Sequence, residues 1–93
     1  MEIKNKHEGE IGAYIAYENK EETGLIAYEI SEPHIKILVH TEVNNNFRGK
    51  GIGEKLVMYI VEDARKNNFK IVPQCSFVAH VFKENASISD VIA

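Results

Sequence analysis

From residue 46 to residue 53 the chain reads Asn46-Phe47-Arg48-Gly49-Lys50-Gly51-Ile52-Gly53, the segment whose residue types and spacing point most directly to chemistry. Glycines at alternate positions let the backbone turn so that successive N–H groups converge. A strongly amphipathic stretch starts at Gly51, and a helix beginning there adds roughly half a positive charge at the same point. Converging N–H groups and a helix N-terminus together form a cradle for an anion. It is not the phosphate loop of nucleotide hydrolases, because no Ser or Thr follows Lys50 and the glycine spacing differs. Nor is it the G-x-G-x-x-G of a dinucleotide-binding fold, because Glu54 stands where the third glycine belongs. The bland alternative is a flexible glycine turn.

Such a cradle needs a strand to deliver the chain and a helix to receive it. Ile11, Ala13, Ile15 and Tyr17 alternate with a period of two, and Gly24 leads into Leu25–Ile30, rich in apolar and aromatic residues; the polar stretch 18–22 between them reads as the turn of a hairpin. After Ser31-Glu32-Pro33 comes a third strand. Its alternation predicts Ile35, Ile37, Val39, Thr41 and Val43 on one face and Lys36, Leu38, His40 and Glu42 on the other. Glu2–Asn5 offers a short edge strand at most. Asn44-Asn45-Asn46 breaks the third strand, and Gly51–Asn67 then carries a helical arc of Ile52, Leu56, Val57, Ile60, Val61 and Ala64. Phe69–Val72 reads as a short strand buried on both faces and stopped by Pro73. Phe77–Glu84 reads as a second helix, and the tail from Asn85 is weakly patterned. The fold class expected is α/β, more narrowly α+β: a small mixed, mainly antiparallel sheet with two helices.

Ninety-three residues feed one core, so a single domain spanning residues 1–93 is expected, and a core this thin makes interior polar residues informative. Eleven Lys and Arg against fourteen Asp and Glu give a net charge of −3, and no basic stripe of the kind a nucleic-acid binder needs is present. The first residues contain no apolar signal stretch, and no run approaches the roughly 20 apolar residues of a membrane span. These features point to a cytoplasmic protein with neither a nucleic-acid nor a membrane partner. Cys75 is the sole cysteine, which excludes an internal disulfide, and the four histidines lack the spacing of a zinc site, so no metal is expected.

Arg48-Gly49-Lys50-Gly51-Ile52-Gly53 resembles the pyrophosphate-binding pattern (Gln/Arg)-x-x-Gly-x-(Gly/Ala) of the GNAT N-acetyltransferases, set as it is there between a long strand and a helix. From the opening hairpin through His40-Thr41-Glu42-Val43 to Cys75 and Phe77, the whole chain is similar to the minimal GNAT-like subgroup. The resemblance implies a reduced GNAT acyltransferase fold and acetyl-CoA as cosubstrate, without a metal. It implies that Thr41, Val43, Arg48, Gly49, Lys50, Gly51, Ile52 and Gly53 hold the cosubstrate. In that family the strand ahead of the loop bends at a bulge and parts from its neighbour, leaving a slot for the pantetheine arm. Here the two arms would be Ile37–Val43 and Phe69–Val72, with the bulge near Val43.

Acetylation of an amine requires a base for its proton and a donor to the thioester oxygen. Backbone N–H groups freed at the bulge would be the donor. Glu42 and His40, two apart on one strand face, are the candidate bases, weighed against an ordinary solvated face. Cys75, next to a helix start at Ser76–Phe77 that would lower its pKa, is placed to accept the acetyl group or to protonate the CoA thiolate. Its bland alternative is a buried packing thiol. Larger relatives often carry a Tyr for that protonation, and the stretch Phe77–Asn85 has none. Little chain remains to wall in a small acceptor, which favours an amine carried by a protein, and a monomer or weak dimer is expected. The rival readings are a CoA-binding module without turnover and a small structural or interaction domain.

Overall fold

The computed structural model describes residues 1–93. Four strands, β1 (Glu2–Glu8), β2 (Ile11–Glu18), β3 (Glu21–Glu32) and β4 (Ile35–Val43), run up and down in chain order. Helix α1 (Ile52–Asn67) then crosses over to β5 (Lys70–Pro73), which pairs with β4 in parallel, and helix α2 (Ser76–Glu84) follows. The sheet order is β1-β2-β3-β4-β5, with all pairs but the last antiparallel. The expected mixed, mainly antiparallel sheet is therefore what forms.

Local chemistry explains the joints. The β2–β3 turn places Asn19 and Lys20 at φ 50° and 71°, the two left-handed residues of a tight hairpin whose twist matches its strands. Helix α1 starts at Gly51 (φ 74°) and stops at Asn68 (φ 56°), left-handed positions that Gly and Asn tolerate best. Its predicted apolar arc, with Gly53, is the buried side. Strand β1 runs well past the expected short edge, pairing with β2 from Glu2 to Glu8. Only Ile3 on it is shielded from solvent, so it carries little hydrophobic signal to read.

One core holds the molecule together. Tyr14, Ala16, Ile26, Tyr28, Leu38 and Ile71 on one sheet face pack with α1, with Val78, Val81 and Phe82 of α2, and with Ile88 and Val91. The last two correct the reading of the tail. Residues Ala86–Val91 form a 3-10 turn that buries both side chains, and Ile92 bridges to Ile71 beside β5. Six residues are too few for a helical period to show, so the burial was invisible as a pattern.

Strand β4 departs from the expected alternation. Ala27 stands opposite His40 and Tyr28 opposite Leu38, which leaves Val39 as an extra residue, a β-bulge. Up to the bulge, Lys36 and Leu38 face the helices: Leu38 is in the core and Lys36 reaches Tyr14. Beyond it Thr41 and Val43 face that side, Thr41 touching Cys75 and Val43 packing on the core. The predicted faces therefore switch partway along the strand, because one inserted residue shifts a period-two pattern by one. The bulge itself lies at Val39, not near Val43.

Candidate active site

Strands β4 and β5 pair from Ile35 opposite Lys70 to Leu38 opposite Pro73 and then part. The Cys75 N–H donates to the Leu38 carbonyl at 2.9 Å, the last backbone–backbone tie across the junction. Past it, Val39–Val43 keeps β3 on one edge and has no strand on the other, so a row of backbone donors and acceptors faces a slot. The expected second arm, Phe69–Val72, needs correction. Strand β5 is paired to β4 along its whole length, and the wall facing the open part of β4 is the start of α2 at Cys75–Phe77.

At the far end of the slot the chain leaves β4 through a 3-10 turn at Asn45–Phe47, capped by the Asn44 side chain, which accepts from the Asn46 N–H at 3.2 Å. Gly49 and Gly51 then take φ values of 80° and 74°. A Cβ added at either would meet nothing within 4 Å, so what demands glycine is the left-handed backbone and not space. In consequence the N–H groups from Gly49 to Glu54 have no acceptor within the chain. Three of these residues, Ile52, Gly53 and Glu54, form the first turn of α1, where unpaired N–H groups are expected. The preceding loop extends the same row, producing an anion nest continuous with a helix N-terminus.

A cavity of about 410 Å³ opens over this nest, lined by Thr41, Val43, Arg48, Gly49, Gly51, Ile52 and Gly53. These are seven of the eight residues expected to hold the cosubstrate; Lys50 lines a neighbouring cavity instead. Phe47, Glu54 and Phe77 complete the lining and were not among the residues expected to hold the cosubstrate. Gly53 has a second duty: a Cβ there would stand 2.6 Å from the Phe77 ring, so the glycine lets α2 approach the first turn of α1. That pairing of a glycine with an aromatic residue distant in sequence leaves no local signature.

Cys75 is the N-cap residue of α2 and is partly buried. Its Sγ lies 3.3 Å from Thr41 Oγ1. Burial pushes the thiol pKa up, but the Thr41 hydroxyl and the N–H groups of Val78, Phe77 and Thr41 outweigh it and hold the thiol below its ordinary value. His40 Nε2 and Glu42 Oε1 lie 3.4 Å apart, with side chains 59% and 65% exposed. The alternation of β4 directs them away from Thr41 and hence away from Cys75. The three candidates for proton transfer are thus split between the two faces of one strand. Glu42 borders a second, polar cavity of about 510 Å³ with Glu22, Thr23, Asn44 and Asn45, and Thr41, Val43 and Arg48 line both cavities.

At the other end of β4, Lys36 Nζ donates to Tyr14 Oη at 2.8 Å, and Tyr14 Oη donates to Asp63 Oδ2 at 2.6 Å. The ammonium lies 4.3–5.0 Å from the ring centroids of Phe69, Tyr28 and Tyr14. Burial drives the Tyr14 hydroxyl pKa far up, aided by Asp63, and lowers that of Lys36. This network clamps α1 to the sheet, away from the cradle. No group of three His, Cys, Asp or Glu side chains is arranged to hold a metal, and no helix is long and apolar enough to cross a membrane.

Comparison with known proteins fits this geometry. The family model for the GCN5-related N-acetyltransferases matches residues 3–91. A GCN5-like protein from Staphylococcus aureus, solved in solution, is 31% identical; the match covers 97% of this chain and 87% of that one, with a TM-score of 0.69. The ribosomal-protein-alanine N-acetyltransferase of Brucella melitensis is 20% identical over 83% of this chain and 62% of its own, with a TM-score of 0.67. The crystal structure, with acetyl-CoA, of a predicted acetyltransferase from Clostridium acetobutylicum is 21% identical over 80% and 55%, with a TM-score of 0.58. The chain thus spans little more than half the length of these last two, and at such identities they speak to the fold alone. No curated protein sequence matches. A family match across almost the whole chain, on a sheet that forks beside a glycine-rich anion nest, makes this chain a member of the GCN5-related N-acetyltransferase family.

Proposed function

We propose that the protein is an acetyl-CoA-dependent N-acetyltransferase working as a single cytoplasmic domain. The observation that carries the reading is the row of unpartnered N–H groups from Gly49 to Glu54 at the mouth of the open β4 edge. The pyrophosphate of acetyl-CoA sits in the nest, with Arg48 as a further cation. The pantetheine arm extends along Val39–Val43 in the manner of an added strand, which brings the thioester toward the fork beside Cys75.

The acceptor amine arrives from the open sheet face, where Glu42 and His40 stand. One of them, directly or through water, takes the amine proton as nitrogen attacks the thioester carbonyl. A backbone N–H of β4 near the bulge stabilises the oxygen as its charge develops. The C–N bond forms, the C–S bond breaks, and the CoA thiolate takes its proton from Cys75, whose lowered pKa suits it to an acid role. The polar cavity bounded by Glu22 and Glu42 is open and lacks a lid, which favours an amine presented by a protein.

Incubation with acetyl-CoA, followed by intact-mass analysis and acceptor profiling over small amines, polyamines and basic proteins, tests this reading. Transfer to an amine is expected, abolished by Gly51→Glu, which places bulk and negative charge in the nest. Binding without transfer to any acceptor would reduce the protein to a CoA-binding module. A folded Gly51→Glu variant that binds acetyl-CoA as before would overturn the assignment of the nest.

A further inference from the structure

The helices pack on one face of the sheet, where the core forms, and leave the other face without a covering layer. By the alternation of the strands that face carries Ile11, Ala13 and Ile15 of β2 and Leu25 and Ala27 of β3, with the bulged Val39 beside them. None of the six packs into the core, and Ile11 is 63% exposed. Ala13 stands opposite Ala27, and this pair of small side chains leaves a shallow hollow of about 510 Å³ with Ile11 and Val39 on its walls. The face runs on without a break to the side of β4 that bears the candidate bases, since Ala27 is opposite His40 and Leu25 is opposite Glu42.

Carboxylates bracket the apolar stretch. Glu8 and Glu29 are the two cross-strand partners of Ile11 at one end, and Glu42 lies at the other. No Lys or Arg side chain comes within 4.0 Å of any of the three. Lys4 and Lys6 stand at the β1 edge, 5.6 and 5.9 Å from the centroid of the Tyr17 ring. The β3–β4 side of the face therefore joins exposed apolar surface to negative charge that the chain itself leaves without a cation.

Resting on the transferase reading, we infer that this uncovered sheet face docks the acceptor protein, through an extended segment that carries an apolar residue two positions, and a basic residue four positions, from the lysine to be acetylated. Side chains on one face of an extended segment recur about every 7 Å, two residues apart. Glu29, Ala27 and Leu25 keep that spacing along β3. A segment laid along the strand thus sets a cation against Glu29, an apolar side chain in the hollow beside Ala27, and the acceptor amine at Glu42, opposite Leu25. An acidic segment would meet Glu29 and Glu42 with like charge, and a small free amine has nothing to place in the hollow. The net charge of −3 steers a basic partner in the same sense.

The test uses end-blocked pentapeptides in which only the lysine can accept an acetyl group: Arg-Gly-Leu-Gly-Lys, the same peptide with Ser for Leu, and the same peptide with Glu for Arg, each in both sequence orders. At saturating acetyl-CoA, kcat/KM for the Arg/Leu peptide in its better order should exceed that of each of the other two by roughly fivefold, the scale of one exposed ion pair or one half-buried apolar side chain. Glu29→Arg should reverse the preference between the Arg and Glu peptides, and Ile11→Ser should erode the preference for Leu over Ser. Both variants should leave CoA affinity and the rate with butylamine unchanged. Fluorescence anisotropy of the labelled peptides with CoA present should give the same order of binding without any chemistry. Equal kcat/KM and equal binding for all three peptides, or a charge preference that Glu29→Arg does not move, would overturn the docking face while leaving the transferase intact. A concentration-dependent dimer in sedimentation equilibrium, dissociated by Ile11→Ser, would assign the face to a second copy of the chain and overturn the inference likewise. Failure to acetylate any amine, butylamine included, would overturn the transferase reading itself, and the present inference with it.

Discussion

The contact between Gly53 and Phe77 makes a prediction whose sign depends on tertiary packing. In an exposed helix interior, replacing Gly with Ala stabilises by about 0.8–1.0 kcal/mol, because glycine gives up more backbone entropy. Gly53 lies in the first turn of α1, buried, and a Cβ there would stand 2.6 and 2.7 Å from two atoms of the Phe77 ring and 3.5 Å from a third. Overpacking of this kind costs about 1–3 kcal/mol, so Gly53→Ala should be neutral to destabilising by up to about 2 kcal/mol. For a domain of this size that is a fall in Tm of up to roughly 8–16 °C. The ring's other response is to swing into the cavity it lines, which on the proposed reading would obstruct the cosubstrate. Thermal melts and CoA titrations of Gly53→Ala, Phe77→Leu and the double variant separate these responses. With the ring gone, Gly53→Ala should recover its helix-propensity gain, so the two substitutions should couple by at least about 1 kcal/mol. If Gly53→Ala alone raises Tm and leaves CoA affinity unchanged, the close packing of α2 on the nest is not what this glycine is for.

Cys75 should react with iodoacetamide along a pH profile whose midpoint lies below that of an ordinary thiol, since Thr41 and backbone N–H groups stabilise the thiolate; Thr41→Val should move the midpoint up, and a profile that does not move would remove Thr41 from the account. Cys75→Ala should slow acetyl transfer with little change in CoA affinity, and full activity would leave the thiol with packing alone. Tyr14→Phe, which strips Lys36 and Asp63 of their shared partner, should cost about 1–3 kcal/mol in urea unfolding and spare CoA binding; an unchanged unfolding midpoint would show that the clamp carries no stability. Deleting Val39 should preserve which side chains face the helices but straighten β4, so the protein should fold and bind CoA more weakly; unaltered affinity would detach the bulge from the slot.

Much of this fold could be read directly from patterns that obey a fixed period. The β2–β3 hairpin, the arc of α1 and the break at Asn44–Asn46 were all visible, because many residues repeat the same signal. The nest was legible for a different reason: left-handed φ values at Gly49 and Gly51 demand glycine, so conformation leaves a mark in composition. What escaped were features fixed by a single residue or by distant contacts. One inserted residue at Val39 inverts the faces of β4, and nothing in a run of apolar residues marks which of them is extra. Phe77 acquires its place only when α2 packs against the first turn of α1. The buried tail residues Ile88 and Val91 lie in a turn too short to show a period.

The bulge also bears on how one strand can serve two reactants. A regular strand beside a full-length parallel neighbour would leave no free backbone edge, and both faces of β4 would be closed off from the thioester. Parting after Leu38 frees that edge without breaking the pairing of β4 with β3, which continues to Val43 opposite Gly24. On the proposed reading the free stretch has a cosubstrate side, where Thr41 and Val43 meet the cradle cavity and Cys75, and an acceptor side, where His40 and Glu42 meet solvent. An acid on one side and a base on the other is the arrangement a direct transfer needs, since the amine loses its proton while the departing sulfur gains one. Had Cys75, His40 and Glu42 shared one face, a base paired with the thiol would have favoured a covalent acetyl-cysteine instead. Their separation therefore favours attack of the amine on acetyl-CoA itself, and intact-mass spectra taken with acetyl-CoA and no acceptor should show no acetyl adduct at Cys75.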